Sequence, residues 1–226
     1  MNRNTPVLVI AGLVLTAAIA GGAYFFTREP QIPDLDRQFT PLARFPQDIQ
    51  DEAKRKVESA IAELRENPDL VSRWLEVAVY RKNADDFDGA EKIWLYLTSR
   101  WPEDPVAYNN LADLYQNYTK DYDRAEKYWR TLIGLQPANI PAYRNLHDLY
   151  KDKLADLKAA ESILREGLER NPRTLDLLIP LAIFKRERGR QEEARALFTE
   201  AKEEALQQGK EALAELLQGE LQNLPL

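Results

Sequence analysis

Four series of residues recur along this chain with a period of 34 or 35 residues. Each series repeats a residue type with a definite role in helical proteins: a proline, an alanine, a bulky residue four positions after the alanine, and a large residue earlier in the period. The series are Pro68, Pro102, Pro137 and Pro172; Ala90, Ala125, Ala160 and Ala194; Trp94, Trp129, Leu164 and Phe198; and Trp74, Tyr108, Tyr143 and Leu178. A period kept in four independent series indicates an array of similar units, each packed on its neighbours.

Each period contains two stretches with the spacing of an amphipathic helix. In the second period the apolar positions are Tyr108, Leu111, Ala112 and Tyr115, then Ala125, Tyr128, Trp129 and Leu132. Intervals of three and four residues place such side chains on one helical face. The breaks between the stretches contain Asp85-Asp86, Asp121 and Gly189, which favour turns and helix caps. The sequence therefore predicts an all-α chain of helix-turn-helix units.

These positions resemble the tetratricopeptide repeat (TPR), whose pattern is W-x₂-L-G-x₂-Y, then A-x₃-F, then P. The matching segments are WLEVAVY with GAEKIW and Pro102, YNNLADLY with RAEKYW and Pro137, YRNLHDLY with AAESIL and Pro172, and LIPLAIFK with EEARALF. The resemblance implies a right-handed α-solenoid over 48–226, with repeats near 70–104, 105–139, 140–173 and 174–207. Capping helices are expected at 48–67 and 210–221.

Two residues depart from the TPR pattern. His147 stands where the family prefers a small residue, so the two helices of the third repeat are expected to cross less closely. Pro180 falls within the first helix of the fourth repeat, where it removes a backbone donor. A kink or a late helix start is expected there.

An uncharged apolar segment precedes the repeats. Residues 6–26 read PVLVIAGLVLTAAIAGGAYFF, which is long enough to span the hydrocarbon core of a bilayer as a helix. Residues 1–27 are therefore predicted to be a transmembrane anchor, with a cleaved signal peptide as the alternative because Ala18-Ile19-Ala20 resembles a cleavage site. The predicted location is the inner membrane of a bacterium, with the solenoid on the extracytoplasmic side.

Residues 28–47 form a proline-rich tether with Pro30, Pro33, Pro41 and Pro46. Prolines favour extended backbone, and a fully extended tether would reach about 60 Å from the bilayer. The tether also contains five large apolar residues, namely Ile32, Leu35, Phe39, Leu42 and Phe45. Two alternatives stay open: a passive spacer, or a segment that docks on the solenoid or on a partner.

Composition excludes several functions. Residues 1–28 carry two arginines and no acid, so the remainder holds 29 basic and 37 acidic side chains, a net charge of −8. Nucleic acid is not an expected partner, since its binding depends on displacing phosphate counterions with Lys and Arg. The chain has no cysteine and one histidine, and it carries no nucleotide, zinc-protease or hydrolase motif. We expect no metal, no cofactor and no enzymatic activity.

The resemblance implies a concave groove lined by the first helix of each repeat. The groove positions are Leu75, Val79 and Lys82; Asn109, Asn110, Asp113 and Gln116; Arg144, Asn145, Asp148 and Lys151; and Ile183 and Arg186. Asn110 and Asn145 are the leading candidates for bonding a peptide backbone, because an amide both donates and accepts; the alternative is that they only complete the helix surface. Leu75 and Val79 exclude the basic carboxylate clamp of heat-shock-chaperone adaptors.

The predicted function is that of a membrane-anchored adaptor or scaffold, which binds a peptide or helix of a partner protein in the groove. The alternative is an envelope chaperone that holds unfolded or nascent segments. An adaptor selects a specific partner, whereas a chaperone suppresses the aggregation of unrelated proteins.

Overall fold

The computed structural model describes residues 31–225, which form ten α-helices and no strand. The helices are α1 Gln47–Glu66, α2 Val71–Asn83, α3 Phe87–Arg100, α4 Pro105–Asp113, α5 Tyr122–Leu135, α6 Ile140–Asp148, α7 Leu157–Arg170, α8 Leu175–Glu187, α9 Gln191–Gln207 and α10 Glu211–Asn223. Consecutive helices pack on one another from α1 to α10. The all-α prediction is confirmed. The four predicted repeats correspond to the pairs α2–α3, α4–α5, α6–α7 and α8–α9.

Polar caps fix where many of the helices begin. Asp86, Asp121 and Asp156 precede the second helices of the first three repeats, and each accepts a hydrogen bond from a backbone amide of the first turn, at 3.0, 3.1 and 2.9 Å. Asp104 and Asn139 do the same for the first helices α4 and α6, at 2.8 and 3.2 Å. These oxygens satisfy donors that a helix leaves unpaired at its start.

A left-handed residue sits in the turn between the two helices of every repeat. Its φ is 59° at Asp85, 60° at Lys120, 53° at Ala155 and 71° at Gly189. Only Gly189 adopts this conformation without a steric penalty, so the other three positions carry backbone strain. The same turn therefore recurs in every repeat, even where the residue at the left-handed position is not glycine.

The helices α4 and α6 each continue into a π-helical segment, at Leu114–Thr119 and Leu149–Lys153. The sequence did not predict these segments. They lengthen the first helices of the second and third repeats and leave Tyr115 and Tyr150 buried near the repeat junctions.

The periodic residues form the core. The repeated alanines Ala90, Ala125, Ala160 and Ala194 are fully buried, as are Trp74 and Phe198. One apolar cluster extends from α1 to α8, and a second joins α8, α9 and α10. Because burial continues from each repeat into the next, every repeat depends on its neighbours for a complete core.

The two departures from the repeat pattern are accommodated inside helices. Pro180 lies within α8, which begins three residues before Leu178, just as α2 begins three residues before Trp74. Of the two alternatives expected at Pro180, the late helix start is therefore wrong, and the kink stays a prediction. His147 remains buried at the junction of α6 and α7, where its Nδ1 lies 2.9 Å from the carbonyl oxygen of Ala160.

The tether is packed on the first repeat over residues 31–46, so the docking alternative applies to this part of it. Leu35 and Phe39 contact the core, and the Phe39 ring meets the Tyr80 ring edge-on at 6.3 Å. This part of the tether is not an extended spacer. The predicted anchor, 6–26, lies outside the described residues. None of the helices within 31–225 is long and apolar enough to cross a bilayer.

A polar cluster around Asp86 holds the tether in place. The buried Arg81 donates to the backbone oxygens of Arg37 and Gln38 at 2.7 and 3.3 Å, and to Asp86 at 2.8 Å. Arg37 in turn donates through Nε to Asp86 at 2.9 Å. A side chain on Gly89 would collide with the Asp86 carboxylate and approach the Arg37 guanidinium, so this close arrangement requires glycine there.

Candidate partner-binding groove

The predicted groove residues of the first two repeats bond partly to one another. Lys82 Nζ lies 3.1 Å from Asp113 Oδ2 and sits over the Tyr118 ring, 5.1 Å from its centroid. Asp113 also accepts a hydrogen bond from Asn117 at 2.8 Å. These contacts join the first repeat to the second. Leu75 is half-buried, while 38% of Val79 is exposed beside this pair.

The amide side chains predicted to line the groove differ in their exposure and in whether they already form hydrogen bonds within the chain. Asn110 donates its amide N–H to the Val106 carbonyl oxygen, 3.0 Å away in the preceding turn, while Asn109 is exposed. Gln116 is buried and accepts a hydrogen bond from the Trp129 indole at 2.7 Å, so it offers little surface to a partner. Asn145 is half-buried, and its side chain makes no hydrogen bond within residues 31–225. Of the two leading candidates, Asn145 has the freer amide.

Four predicted groove residues surround one cavity between the first helices of the third and fourth repeats. Its volume is about 170 Å³. Its lining consists of Arg144, His147, Asp148, Lys151, Pro180, Ile183, Phe184 and Glu187. The groove prediction named Arg144, Asp148, Lys151 and Ile183. The structure therefore brings these four together, and it adds both residues that depart from the repeat pattern.

Two further placements differ from a simple groove. Arg186 pairs with Glu220 of α10 and stacks over the Phe198 ring at 5.8 Å, so it is directed to the last helix. Phe184 and Glu187 line the cavity although the sequence analysis did not select them. Helical spacing was the available signal, since Glu187 lies four residues after Ile183 and Phe184 lies four residues after Pro180.

Known proteins share the fold of this chain at low sequence identity. The sequence matches no protein-family model and no curated protein. Among solved structures, one crystal structure of MamA has a TM-score of 0.56 at 15% identity, covering 73% of this chain and 89% of that one. A second MamA structure has a TM-score of 0.55 at 17% identity, covering 74% and 99%. YrrB, described as a TPR protein with an unusual peptide-binding site, has a TM-score of 0.50 at 14% identity, covering 70% and 88%.

This chain has the tetratricopeptide-repeat fold. At such low identities the likeness concerns the fold alone, and the chemistry of the TPR array has to be taken from its own residues.

Consecutive TPR units are joined by a recurring hydrogen bond, which we call the inter-repeat ladder. In the first three repeats the acceptor is the glutamate directly after the repeat alanine, and the donor lies in the first helix of the next repeat. The Tyr115 hydroxyl donates to Glu91 at 2.7 Å, the Tyr150 hydroxyl donates to Glu126 at 2.6 Å, and Lys185 donates to Glu161. The ladder joins neighbouring repeats and pairs the buried polar groups of Tyr115, Tyr150 and Lys185.

The hydrogen bonds of the ladder help to move the pKa values of Tyr150 and Glu161 away from neutral pH. Burial and the hydrogen bond to Glu126 raise the pKa of Tyr150 to about 12. Burial opposes ionisation of Glu161, but the hydrogen bonds from Lys185 and Arg165 outweigh it and hold the pKa of Glu161 below its usual range. Every other displaced pKa within residues 31–225 also moves away from neutral pH. A carboxyl, lysine or tyrosine that acts as a general acid or base at neutral pH needs the opposite displacement.

The described residues contain no group of three or more His, Asp or Glu side chains arranged to hold a metal ion. The lining of the groove cavity offers a partner hydrogen bonding, charge and apolar contact.

Proposed function

We propose that this chain is an adaptor that binds a segment of a partner protein in its TPR groove and is held at a membrane by residues 6–26. The observation that carries the binding part is the cavity between the third and fourth repeats. It combines apolar walls with charged side chains that the fold leaves free. Arg144, Asp148 and Glu187 have no ion-pair partner within residues 31–225.

The contrast with the repeat junctions supports this proposal. Away from this cavity, charged side chains at the repeat junctions pair with each other, as in the Lys82–Asp113 pair and the Lys185–Glu161 pair. Unpaired charges beside a concavity are available to orient a bound segment, since a few placed polar groups supply specificity in otherwise apolar sites. YrrB, which shares the fold, is described as having a peptide-binding site.

The mixed lining favours a selective adaptor over a general holder of unfolded chains. A holder needs a broad apolar surface, whereas the lining here alternates between Ile183 or Phe184 and charged residues such as Arg144. Nucleic acid remains a poor ligand because the part of the chain after residue 28 is acidic.

Site-specific photocrosslinking tests the binding. A photoreactive amino acid replaces Asn145 in the full chain, and the matched control replaces Lys158, which is exposed on the second helix of the same repeat. We expect adducts with a small, reproducible set of proteins from position 145 and not from position 158. Identical adducts from both positions, or none from either, would contradict groove binding.

Membrane attachment is tested separately. The full chain should sediment with membranes and resist alkaline carbonate extraction, while a chain lacking residues 1–30 should become soluble. Extraction of the full chain by carbonate would contradict the anchor and leave the binding proposal intact.

A further inference from the structure

The cavity between the third and fourth repeats has the size of a single ring-bearing side chain. Its volume is about 170 Å³. A protein cavity of roughly 150 Å³ is large enough to take up benzene. One six-membered ring with a small polar substituent therefore fits the space, whereas a whole helix does not.

His147 brings a hydrogen-bond acceptor to the lining of this cavity. The residue is only 4% exposed, and it belongs to the cavity lining. Its Nδ1 lies 2.9 Å from the Ala160 carbonyl oxygen. A carbonyl oxygen can only accept, so Nδ1 carries the proton, and Nε2 of the neutral ring has a free lone pair. Within residues 31–225, Nε2 has no hydrogen-bond partner and is not among the polar atoms sealed from solvent.

The rest of the lining favours a neutral aromatic occupant. Pro180, Ile183 and Phe184 provide apolar wall, and aromatic rings gain from packing on one another beyond the area that they bury. The charged groups at the cavity are two bases, Arg144 and Lys151, and two acids, Asp148 and Glu187, so they balance. Neither a cationic nor an anionic side chain is favoured overall.

We propose that this cavity is a specificity pocket for a tyrosine side chain of the partner segment, with the tyrosine hydroxyl donating to His147 Nε2 and the ring lying against Phe184 and Pro180. The inference rests on the proposed function and names the residue class that the groove selects. It also gives a role to the histidine that replaces the small residue of the repeat pattern.

A peptide selection tests the pocket and does not require the partner to be identified. Phage displaying random twelve-residue peptides are panned on the full chain in detergent micelles and, in parallel, on His147→Leu. We expect tyrosine to be enriched at one position of the peptides selected by the native chain, and this enrichment to disappear with H147L. Enrichment of tryptophan or of a charged residue instead would overturn the proposal.

Matched peptides then measure the hydrogen bond itself. One selected peptide is made with Tyr and with Phe at the enriched position, and both are titrated against each protein. A neutral hydrogen bond in a buried site corresponds to about a five- to tenfold preference for Tyr. H147L should bind both peptides with similar affinity. Asn145→Ala, which changes a residue outside the cavity lining, should weaken both peptides and keep the ratio.

A second variant, Ile183→Trp, keeps the test valid if H147L fails to fold. Ile183 is half-buried and lines the cavity, so a larger side chain there should fill it. The affinity of this variant for both peptides should be more than tenfold lower than that of the native chain. An unchanged Tyr preference in H147L, or unchanged binding to I183W, would overturn the pocket. Selected peptides that bind the groove without any preference for tyrosine would overturn the pocket and leave the adaptor function standing. A library that yields no binding peptide would count against both.

Discussion

The two ends of the TPR array are closed in different ways. At the N-terminal end, α1 and residues 31–46 of the tether cover the first repeat, and the buried Arg81 bonds to the tether backbone. At the C-terminal end, a single helix, α10, covers the fourth repeat. One end is closed by a segment outside the repeat pattern, and the other is closed by a helix that still follows the pattern.

Arg81 stands at the ladder position of the first repeat. The donors in later repeats are Tyr115, Tyr150 and Lys185, each bonded to a glutamate of the preceding repeat. Arg81 instead takes the backbone oxygens of the tether together with Asp86. The tether therefore supplies the acceptors that a preceding repeat would supply. An arginine suits this position because its planar fork of donors can satisfy several acceptors at once.

The C-terminal end leaves a repeat leucine uncovered. Leu111, Leu146, Leu181 and Leu216 follow one another at intervals of 35 residues. The first three are at most 2% exposed, whereas Leu216 is 70% exposed. No helix within residues 31–225 covers that side of α10. A repeat position is thus buried only when its neighbour is present, and sequence periodicity alone does not show whether it is.

The largest expected effect comes from the buried arginine at the N-terminal end. Arg81→Ala should lower the free energy of unfolding by about 3 to 5 kcal/mol, because it leaves the tether oxygens and Asp86 without their buried donor. Tryptophan fluorescence during urea unfolding measures this, since all four tryptophans lie between residues 74 and 129.

Arg195→Ala is the matched control at the other end. Arg195 also donates to backbone oxygens, those of Leu221 and Leu224 at 3.2 and 3.0 Å, but it is only half-buried. Arg195→Ala should lower the free energy of unfolding by about 1 kcal/mol, which is typical of the loss of an ordinary hydrogen bond. Equal losses in the two variants would show that the ends are held alike.

The repeat leucines give the next largest effect. Leu181→Ala should cost about 3 kcal/mol, because it removes a buried side chain and leaves a cavity. Leu216→Ala changes the same repeat position at the exposed end and should cost less than about 0.5 kcal/mol. Hydrogen exchange of the amides in α8 and α10 measures both variants. A large loss in L216A would mean that Leu216 is covered in solution.

Acid should weaken the N-terminal end. Partial burial opposes ionisation of Asp86, but the hydrogen bonds from Arg37 and Arg81 outweigh it and hold the pKa of Asp86 below its usual range. Its stabilising contribution is therefore complete above about pH 4, the unfolded pKa of an aspartate, and is lost as the pH falls through the lower folded pKa.

Asp86→Asn tests this dependence. It should cost about 2 kcal/mol at pH 7, because it removes a charged acceptor of partly buried hydrogen bonds. Its urea midpoint should fall less between pH 6 and pH 3 than that of the native chain. The control is Asp85→Asn, at an exposed neighbour whose closest cation, on Arg44, is 3.6 Å away. If D86N kept the full pH dependence of the native chain, the Asp86 cluster would not be the acid-sensitive element.

The repeat fold was predictable because periodic apolar positions determine both the helices and the way they stack. The prolines, the alanines and the aromatic residues sufficed for the helix pairs and the core. The apolar residues of the tether made docking one of two alternatives, but they could not decide between them, since the docked position also depends on backbone oxygens of Arg37 and Gln38, which carry no side-chain signature. The π-helical segments were not predicted either, and the late helix start expected at Pro180 was wrong.

The groove was predictable only in part. The resemblance selected Arg144, Asp148 and Ile183 as groove positions, and the structure places them around one cavity. The resemblance did not show that Lys82 and Asp113 pair with each other or that Gln116 is buried. Those outcomes depend on which side chains meet across two repeats. His147 illustrates the difficulty best, because its position in the repeat indicated only a packing residue.

The smallest expected effect concerns the turns at the two ends of the array. Gly189, in the last repeat, has a φ of 71° and open space where a side chain would stand. Gly189→Ala should therefore cost about 1 kcal/mol through backbone conformation alone, as an L-residue in the left-handed region does. Asp85, in the equivalent turn of the first repeat, already carries this strain at a φ of 59°. Asp85→Gly relieves it but loosens the unfolded chain, so the gain should stay below about 0.5 kcal/mol. Thermal unfolding of the two variants measures the difference, and a loss of several kcal/mol in G189A would mean that the C-terminal turn packs against something more than solvent.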